Sequence, residues 1–536
     1  MLSSIHHAQA KRPGAARLLA STMLSAVLVP VLFGLSPAEA RDDGAPVWKF
    51  GDTVLSDSDD NVTNSKTLDL TEDVNFGDGT DILTNTGVIT IGAKAASPTL
   101  VTFKSLETLK NGGLIDLRNG HGGDVLTLSA SYNGATGARL GLDVLPGAVD
   151  RLVVGRIASG STAIVLGGLT SKTAVLTGDK GPVLIQAGVD STATAFRIEN
   201  SDIGLIHYSM AYNSGDYSFR LVGEAGDRVF DALKISEGAA DVWRQSADAW
   251  SAHLTSLRAG GYATKGPGVW AQAFGQTQDR DDTIDAAGGR EVATDYRQTT
   301  FGGQMGADLI NGDLGEGHLV LGLTGGYANA KMRFTGADLD ARLSVVNVGG
   351  YLALSRGGYF LNALAKADRQ SVKANGDAGA LAAKFDGTAY GGKIEAGARF
   401  EGEGMAYEHL VSIDYVGSRL DDMAVGDQRL DFGRATGFVA KAGVRGSVQA
   451  EAFQGAFSTY GSAFIVHDFT VKNSLDFVSG GQTEHLSRDG GKTYGELTVG
   501  ASIRAGEASV TFVEATGDYG GGRRGGGLRI GGRIGF

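Results

Sequence analysis

Residues 525–536 read GGGLRIGGRIGF, and the alternation in this segment decides the fold. Leu528, Ile530, Ile534 and Phe536 share one parity with Gly532. Arg529 and Arg533 share the other with Gly531 and Gly535. Successive side chains of a strand point to opposite faces, so this segment has one apolar face and one charged face. Such a strand suits either a soluble sheet edge or the wall of a membrane barrel, and the sequence upstream separates the two.

From Tyr262 to Phe536 the same alternation recurs in about twelve long segments: 268–278, 294–310, 316–335, 338–354, 357–373, 384–402, 404–418, 434–450, 453–470, 491–505, 507–518 and 526–536. Many carry aromatic residues near their ends, as in GYFLNALAKADRQSV and YEHLVSIDYVGS. Short turns such as RGG and EGEG alternate with longer polar segments such as DRDDTIDAAGGREVATD and VKNSLDFVSGGQTEHLSRDGG. One face of each segment is apolar, and the other carries Gly, Ala, Lys, Arg, Gln, Asp or Glu. Short turns at one end, long loops at the other and a polar interior are the pattern of a transmembrane β-barrel. No segment after the N-terminus has about 18 consecutive apolar residues, so a membrane crossing by this chain requires closed strands.

The period changes in SEGAADVWRQSADAWSAHLTSLRAGG. Trp243, Ala247, Trp250, Leu254 and Leu257 recur at three- and four-residue steps, which makes one apolar stripe on a helix over 236–258. Ser236 is its expected N-cap, Arg258 suits its C-terminal end, and Gly260-Gly261 stops it. Two tryptophans exceed what a linker needs, and a helix threaded into the barrel would use them.

Between Val47 and Leu221 short apolar runs alternate with Asn-Gly and Gly-Gly corners, as in TNTGVITIG and KNGGLIDLRNG. These read as degenerate copies of one unit, with Asn at a corner and isoleucines in the next strand. Irregular repeats of this size suggest the coils of a parallel β-helix, with a β-sandwich as the alternative.

At the N-terminus Lys11, Arg12 and Arg17 precede an apolar stretch from Leu18 to Leu35, followed by Ala38-Glu39-Ala40. This reads as a secretory signal peptide over 1–40. The chain has no cysteine, which suits export of an unfolded polypeptide. A formal net charge of −12 with no basic cluster argues against a nucleic-acid partner.

The C-terminal region resembles the β-domain of the type V autotransporters. The resemblance rests on GVWAQAFGQ, GGYLALSRGGYFLNALAKAD, YGGKIEAGARF, FVAKAGVRGSV and the closing GELTVGASIRAGEASVTFVEATGDYGGGRRGGGLRIGGRIGF, in family order across 262–536. Residues GLIDLRNGHGGDVLTLSASYNGATGARLGLDV and DRLVVGRIASGSTAIVL are similar to the last rungs and stabilising end of an autotransporter passenger. The resemblance implies an all-β protein: a signal peptide (1–40), a right-handed β-helical passenger (41–230), a linker and pore helix (231–261), and a twelve-stranded outer-membrane barrel (262–536).

It further implies that the last strand, through Ile530, Ile534 and Phe536, is read by the barrel-assembly machinery, with periplasmic chaperones and outer-membrane lipid as further partners. The pore helix would be seated by Trp243, Trp250 and Leu254. Some family members cut themselves within this helix at an Asn pair, and no asparagine occurs between Ser236 and Arg258. The passenger is therefore expected to stay attached, displayed on the cell surface for adhesion or aggregation through an unidentified surface ligand.

Two alternatives come from other function classes. KFGDTVLSDSDDN resembles the nucleophile block of GDSL esterases, with Thr53 at the nucleophile position and Val54 inserted before Leu55-Ser56-Asp57. Those enzymes need an Asp-x-x-His pair, and neither His121 nor His207 has Asp three residues earlier. NSGDYS at 213–218 has the wrong order for a serine protease. FGDGTDIL, around Asp78 and Asp81, is similar to a calcium-binding β-roll turn but has Phe76 where glycine belongs. No catalytic, metal or cofactor residues are therefore expected. The second alternative is a porin-like channel.

Overall fold

In the computed structural model the described residues are 49–259, 265–286, 289–336, 338–376, 381–452, 455–488, 491–506 and 509–536. The signal-peptide reading of 1–40 and the helix stop at Gly260-Gly261 lie outside them.

Residues 61–198 coil into a parallel β-solenoid with three sheets rather than a sandwich. One sheet stacks Asn61–Asn64, Ile82–Asn85, Thr108–Asn111, Ser131–Gly134 and Ala158–Gly160. The asparagines at the sequence corners form its internal ladder. Asn64 Nδ2 donates to Asn85 Oδ1 at 2.9 Å and Asn85 Nδ2 to Asn111 Oδ1 at 2.8 Å, across steps of 21 and 26 residues. Asn111 Nδ2 donates to Tyr132 Oη at 3.1 Å, which bonds Thr162 Oγ1 at 2.8 Å. All five are buried, and each amide uses a bond that water would otherwise supply, so the column fixes rung register as well as stability. Phe76, the misfit of the calcium-like turn, packs with Phe50 and Phe103 at centroid distances of 5.8–5.9 Å.

A buried acidic corner makes this solenoid sensitive to pH. Asp150 accepts N–H bonds from Gly123 and Asp124 (3.0 Å each) and Asp143 (2.7 Å). Burial, with help from the carboxylates of Asp124 and Asp143, nevertheless raises its pKa to about 7. A folded-state pKa above the unfolded value means that the folded chain holds an extra proton between about pH 4 and pH 7. Solenoid stability therefore falls as pH rises through that window, then levels off. Asp150→Asn should flatten that slope in solenoid melting temperature measured from pH 4 to 8; an unchanged slope would assign it elsewhere.

The solenoid ends in an antiparallel hairpin, Ile206–Asn213 with Ser218–Ala225, which pairs with Val183–Gln186 and leads into helix α1, Asp227–Ala259. The helix begins nine residues before the expected N-cap, and Ser236 is buried inside it. Val229, Phe230, Leu233 and Ile235 are all buried, and so are Asp231 and Lys234 between them, so this first part is enclosed on every side and shows no apolar stripe.

Twelve antiparallel strands follow: β1 (Gly268–Arg280), β2 (Tyr296–Leu314), β3 (Gly317–Phe334), β4 (Leu339–Arg356), β5 (Tyr359–Gly376), β6 (Leu381–Gly402), β7 (Met405–Leu420), β8 (Ala435–Ala452), β9 (Gly455–Ser479), β10 (Lys492–Ala505), β11 (Ser509–Gly520) and β12 (Arg523–Gly535). They close because β1 pairs with β12, from Gly268↔Gly535 to Arg280↔Arg523. Phe301, Leu323, Val348, Ile394, Val411, Ile465, Val499 and Val513 are among the large apolar side chains exposed on the outside. An apolar exterior this extensive needs lipid. Among the described residues no helix is long and apolar enough to cross a membrane.

At the solenoid end the polar segments expected as loops contain paired strands. Thr283–Asp285 pairs with Glu291–Ala293, Met423–Val425 with Gln428–Phe432, and Gln482–Arg488 with the extended end of β9. They meet the N-terminal region through Gln428 Nε2 to Ala174 O (2.7 Å), Gln482 Nε2 to Thr177 O (3.0 Å) and Ala225 N to Glu484 Oε2 (2.7 Å). One hydrophobic cluster runs from solenoid residues such as Leu184 through Phe230 and Leu233 of α1 to Leu343, Leu430 and Phe477.

Candidate functional site

The site is the lumen that α1 fills. Its apolar face carries Trp243, Trp250, Leu254 and Leu257, all buried against Trp270, Val320, Tyr351, Leu364, Ala389 and Val416 of β1 and β3–β7. Trp243 Nε1 donates to Lys366 O at 3.3 Å, and Lys366 Nζ sits 4.8 Å from its ring centroid. Gly391 makes room: a Cβ there would lie 2.9 Å from the Trp243 ring. The three helix residues expected to seat the helix thus lie on one wall.

Polar groups hold the remaining faces along the helix. Asp241 accepts from Gln278 (2.8 Å) and Arg280 (2.6 Å), Asp248 pairs with Lys393 (2.6 Å), and Ser251 donates to Glu395 (2.6 Å). Near the far end Arg258 lies over the Phe360 ring at 3.9 Å and 3.6 Å from Glu408. Between α1 and the wall that includes Lys441, Arg445, Glu496 and Arg529 a polar gap of about 140 Å³ remains. That is room for on the order of ten waters, far short of a porin's channel.

The closing strand is tied into the same network. Leu528, Ile530, Ile534 and Phe536 face outward, 66%, 57%, 61% and 79% exposed. On the opposite face Arg533 Nε donates to Asp308 Oδ2 at 2.6 Å. Asp308 Oδ1 bonds His253 Nε2 of α1 (2.9 Å) and accepts from Tyr351 Oη (2.6 Å), and Trp270 Nε1 donates to Tyr351 Oη (2.9 Å). All are buried. Arg533 was legible as a lumen-facing charge. Its partner 225 residues away was not.

The residues of the esterase alternative are not brought together as a catalytic set. Thr53 is exposed in a two-residue strand, and Ser56 Oγ bonds Ser58 (3.0 Å) and Asp60 (3.2 Å) in a surface turn. His207 Nδ1 bonds Asp202 at 2.9 Å, and the His121 backbone N–H donates to Asn119. Asp216 of the 213–218 segment accepts from Ser218 N–H and Oγ, making a hairpin turn. Asp81 is buried and accepts from Asp60 N–H at 2.8 Å; burial pushes its carboxyl above the ordinary range. Among the described residues no three acidic or histidine side chains converge as a metal-binding group.

The family model for the autotransporter beta-domain matches residues 269–534. Among solved structures, the chain is similar to the β domain of the Bordetella autotransporter Brka, with 19% identity, a TM-score of 0.40, and 51% of this chain and 100% of that one covered. For the transport unit of the Escherichia coli autotransporter AIDA-I the values are 17%, 0.41, 50% and 90%. For the translocator domain of NalP from Neisseria meningitidis they are 14%, 0.40, 56% and 98%. No curated protein matches the chain by sequence.

Proposed function

We propose, from the premise that this chain is a type V autotransporter whose outer-membrane β-domain includes residues 269–534 and whose passenger lies outside the cell, that the passenger stays attached and works by contact in adhesion or aggregation. The observation that carries this reading is the hydrophobic cluster that joins solenoid, helix and barrel mouth. A passenger built for release would not need its foot packed into the pore's own core. The α1 sequence from Asp227 to Ala259 contains no asparagine for the self-cleavage route. The solenoid's buried polar side chains join neighbouring rungs, as in the column from Asn64 to Thr162, which suits a rigid stalk with ligand contacts on its exposed faces and corners.

On this reading Ile530, Ile534 and Phe536 present the apolar face of β12 to the barrel-assembly machinery while the strand is still unpaired, with chaperones guarding it beforehand. Once β12 pairs with both β1 and β11 its edges are gone, so recognition must precede closure. The proposed domain limits remain 41–230 for the passenger and 262–536 for the barrel.

Protease shaving of intact cells tests display. It should release solenoid fragments ending before α1 and leave α1 and the barrel protected, and loss of the passenger should abolish settling of the cells into aggregates. A fully protected chain would overturn display, and aggregation unchanged after shaving would overturn the contact role. Short-chain ester hydrolysis that is lost in Thr53→Ala or Ser56→Ala would instead favour the hydrolase.

A further inference from the structure

A row of cations crosses the outside of the barrel on adjacent strands. Lys331 of β3 is directly opposite Arg342 of β4, Arg342 is opposite Lys373 of β5, and Lys373 is opposite Lys384 of β6. Their neighbours along each strand, including Met332, Leu343, Val372 and Phe385, are buried in the cluster at the solenoid end, so the cations point outward at the extracellular rim. Asp340 pairs with Lys331 (2.9 Å), and Asp386 pairs with Arg369 (3.3 Å). Among the described residues Arg342, Lys373 and Lys384 are within ion-pair distance of no carboxylate.

Like charges directly opposite one another repel, and here they do so in three successive strand pairs, in a chain whose formal net charge is −12. The row spans about 14 Å, three strand spacings of about 4.8 Å. It lies four residues, or about 13 Å, along the strands from Tyr327 and Val346, which begin the exposed apolar surface. Cations just beyond a lipid-facing belt meet headgroups, and Arg342 adds a fork suited to phosphate.

We propose that Arg342, Lys373 and Lys384, with Lys331 at the edge, bind the phosphate groups of a lipid headgroup in the outer leaflet. The anion removes the repulsion within the row, and the belt below receives the acyl chains.

The test uses the full chain purified in dodecyl maltoside, with folding checked by heat-shifted gel mobility and lipid retention read by native mass spectrometry. The probes are bis-phosphorylated lipid A, its dephosphorylated form and inorganic pyrophosphate. The wild type should retain the phosphorylated lipid in preference to the dephosphorylated one. Arg342→Gln/Lys373→Gln/Lys384→Gln should weaken retention about a hundredfold, and each single change about fivefold. The charge-keeping Arg342→Lys/Lys373→Arg/Lys384→Arg should retain it. Equal retention by the folded neutral triple variant, or equal binding of the dephosphorylated lipid, would overturn the proposal. Displacement by pyrophosphate at equimolar concentration would make this a free-phosphate site and overturn the lipid assignment. Should the triple variant not fold, unchanged retention in all three single variants is the overturning result.

Discussion

A chain cut back to residues 260–536 is expected to conduct at least about an order of magnitude more ions in a planar bilayer than one that keeps residues 227–259. An α-helix with its side chains is about 10–12 Å across, which accounts for most of the interior of a small barrel. Here the lumen is closed on one side by Trp243, Trp250 and Leu254 packed against the wall. On the other side ion pairs bridge helix and wall beside a polar gap of about 140 Å³. Equal conductance by the two chains would mean that the helix does not occlude the pore and would revive the porin-like reading. Trp243→Ala/Trp250→Ala in the longer chain should give an intermediate, noisy conductance, because each truncation removes a large buried contact worth about 3–5 kcal/mol.

The second large effect is expected from Asp308→Ala. This carboxylate is shared by His253 of the helix, Tyr351 of β4 and Arg533 of the closing strand, all buried. Removing it leaves the Arg533 guanidinium buried with Gly266 O as its remaining acceptor among the described residues. An unpaired buried charge of this kind costs about 3–5 kcal/mol. The urea midpoint of the heat-shifted gel band should fall accordingly, and bilayer recordings should show an increased open fraction as the helix loses its anchor. Arg533→Met should cost less, because Asp308 keeps two other partners and the substituted side chain is apolar. Equal losses in the two variants would mean that strand packing, rather than the shared carboxylate, sets the stability of closure.

Much of this architecture is legible in the sequence. Parity placed Ile530, Ile534 and Phe536 on one face of the last strand and Arg529 and Arg533 on the other, because a strand's period of two leaves no choice once one face is apolar. The stripe of Trp243, Trp250 and Leu254 marked a helix buried on one side. Other features had no local signal. The helix start has no such signal, because buried Asp231 and Lys234 interrupt Val229, Phe230, Leu233 and Ile235, and an enclosed segment that mixes charged and apolar residues presents no stripe. The segments around Thr283, Gln428 and Gln482 looked like solvated loops because their polar side chains masked short paired strands. Asn85 and Asn111 were visible as repeated corners, but the Tyr132 hydroxyl and Thr162 that complete their column belong to rungs where the repeat has changed residue.

Local patterning thus determined the barrel strands, the pore helix and the repeating character of the passenger, since each follows from the side-chain period of one segment. Only the folded chain decided what the charges do: Asp308 meets Arg533 and His253, Arg342 meets Lys373, and Lys373 meets Lys384. Registers between strands set those meetings. A register is a property of two distant segments at once, and neither segment carries it alone.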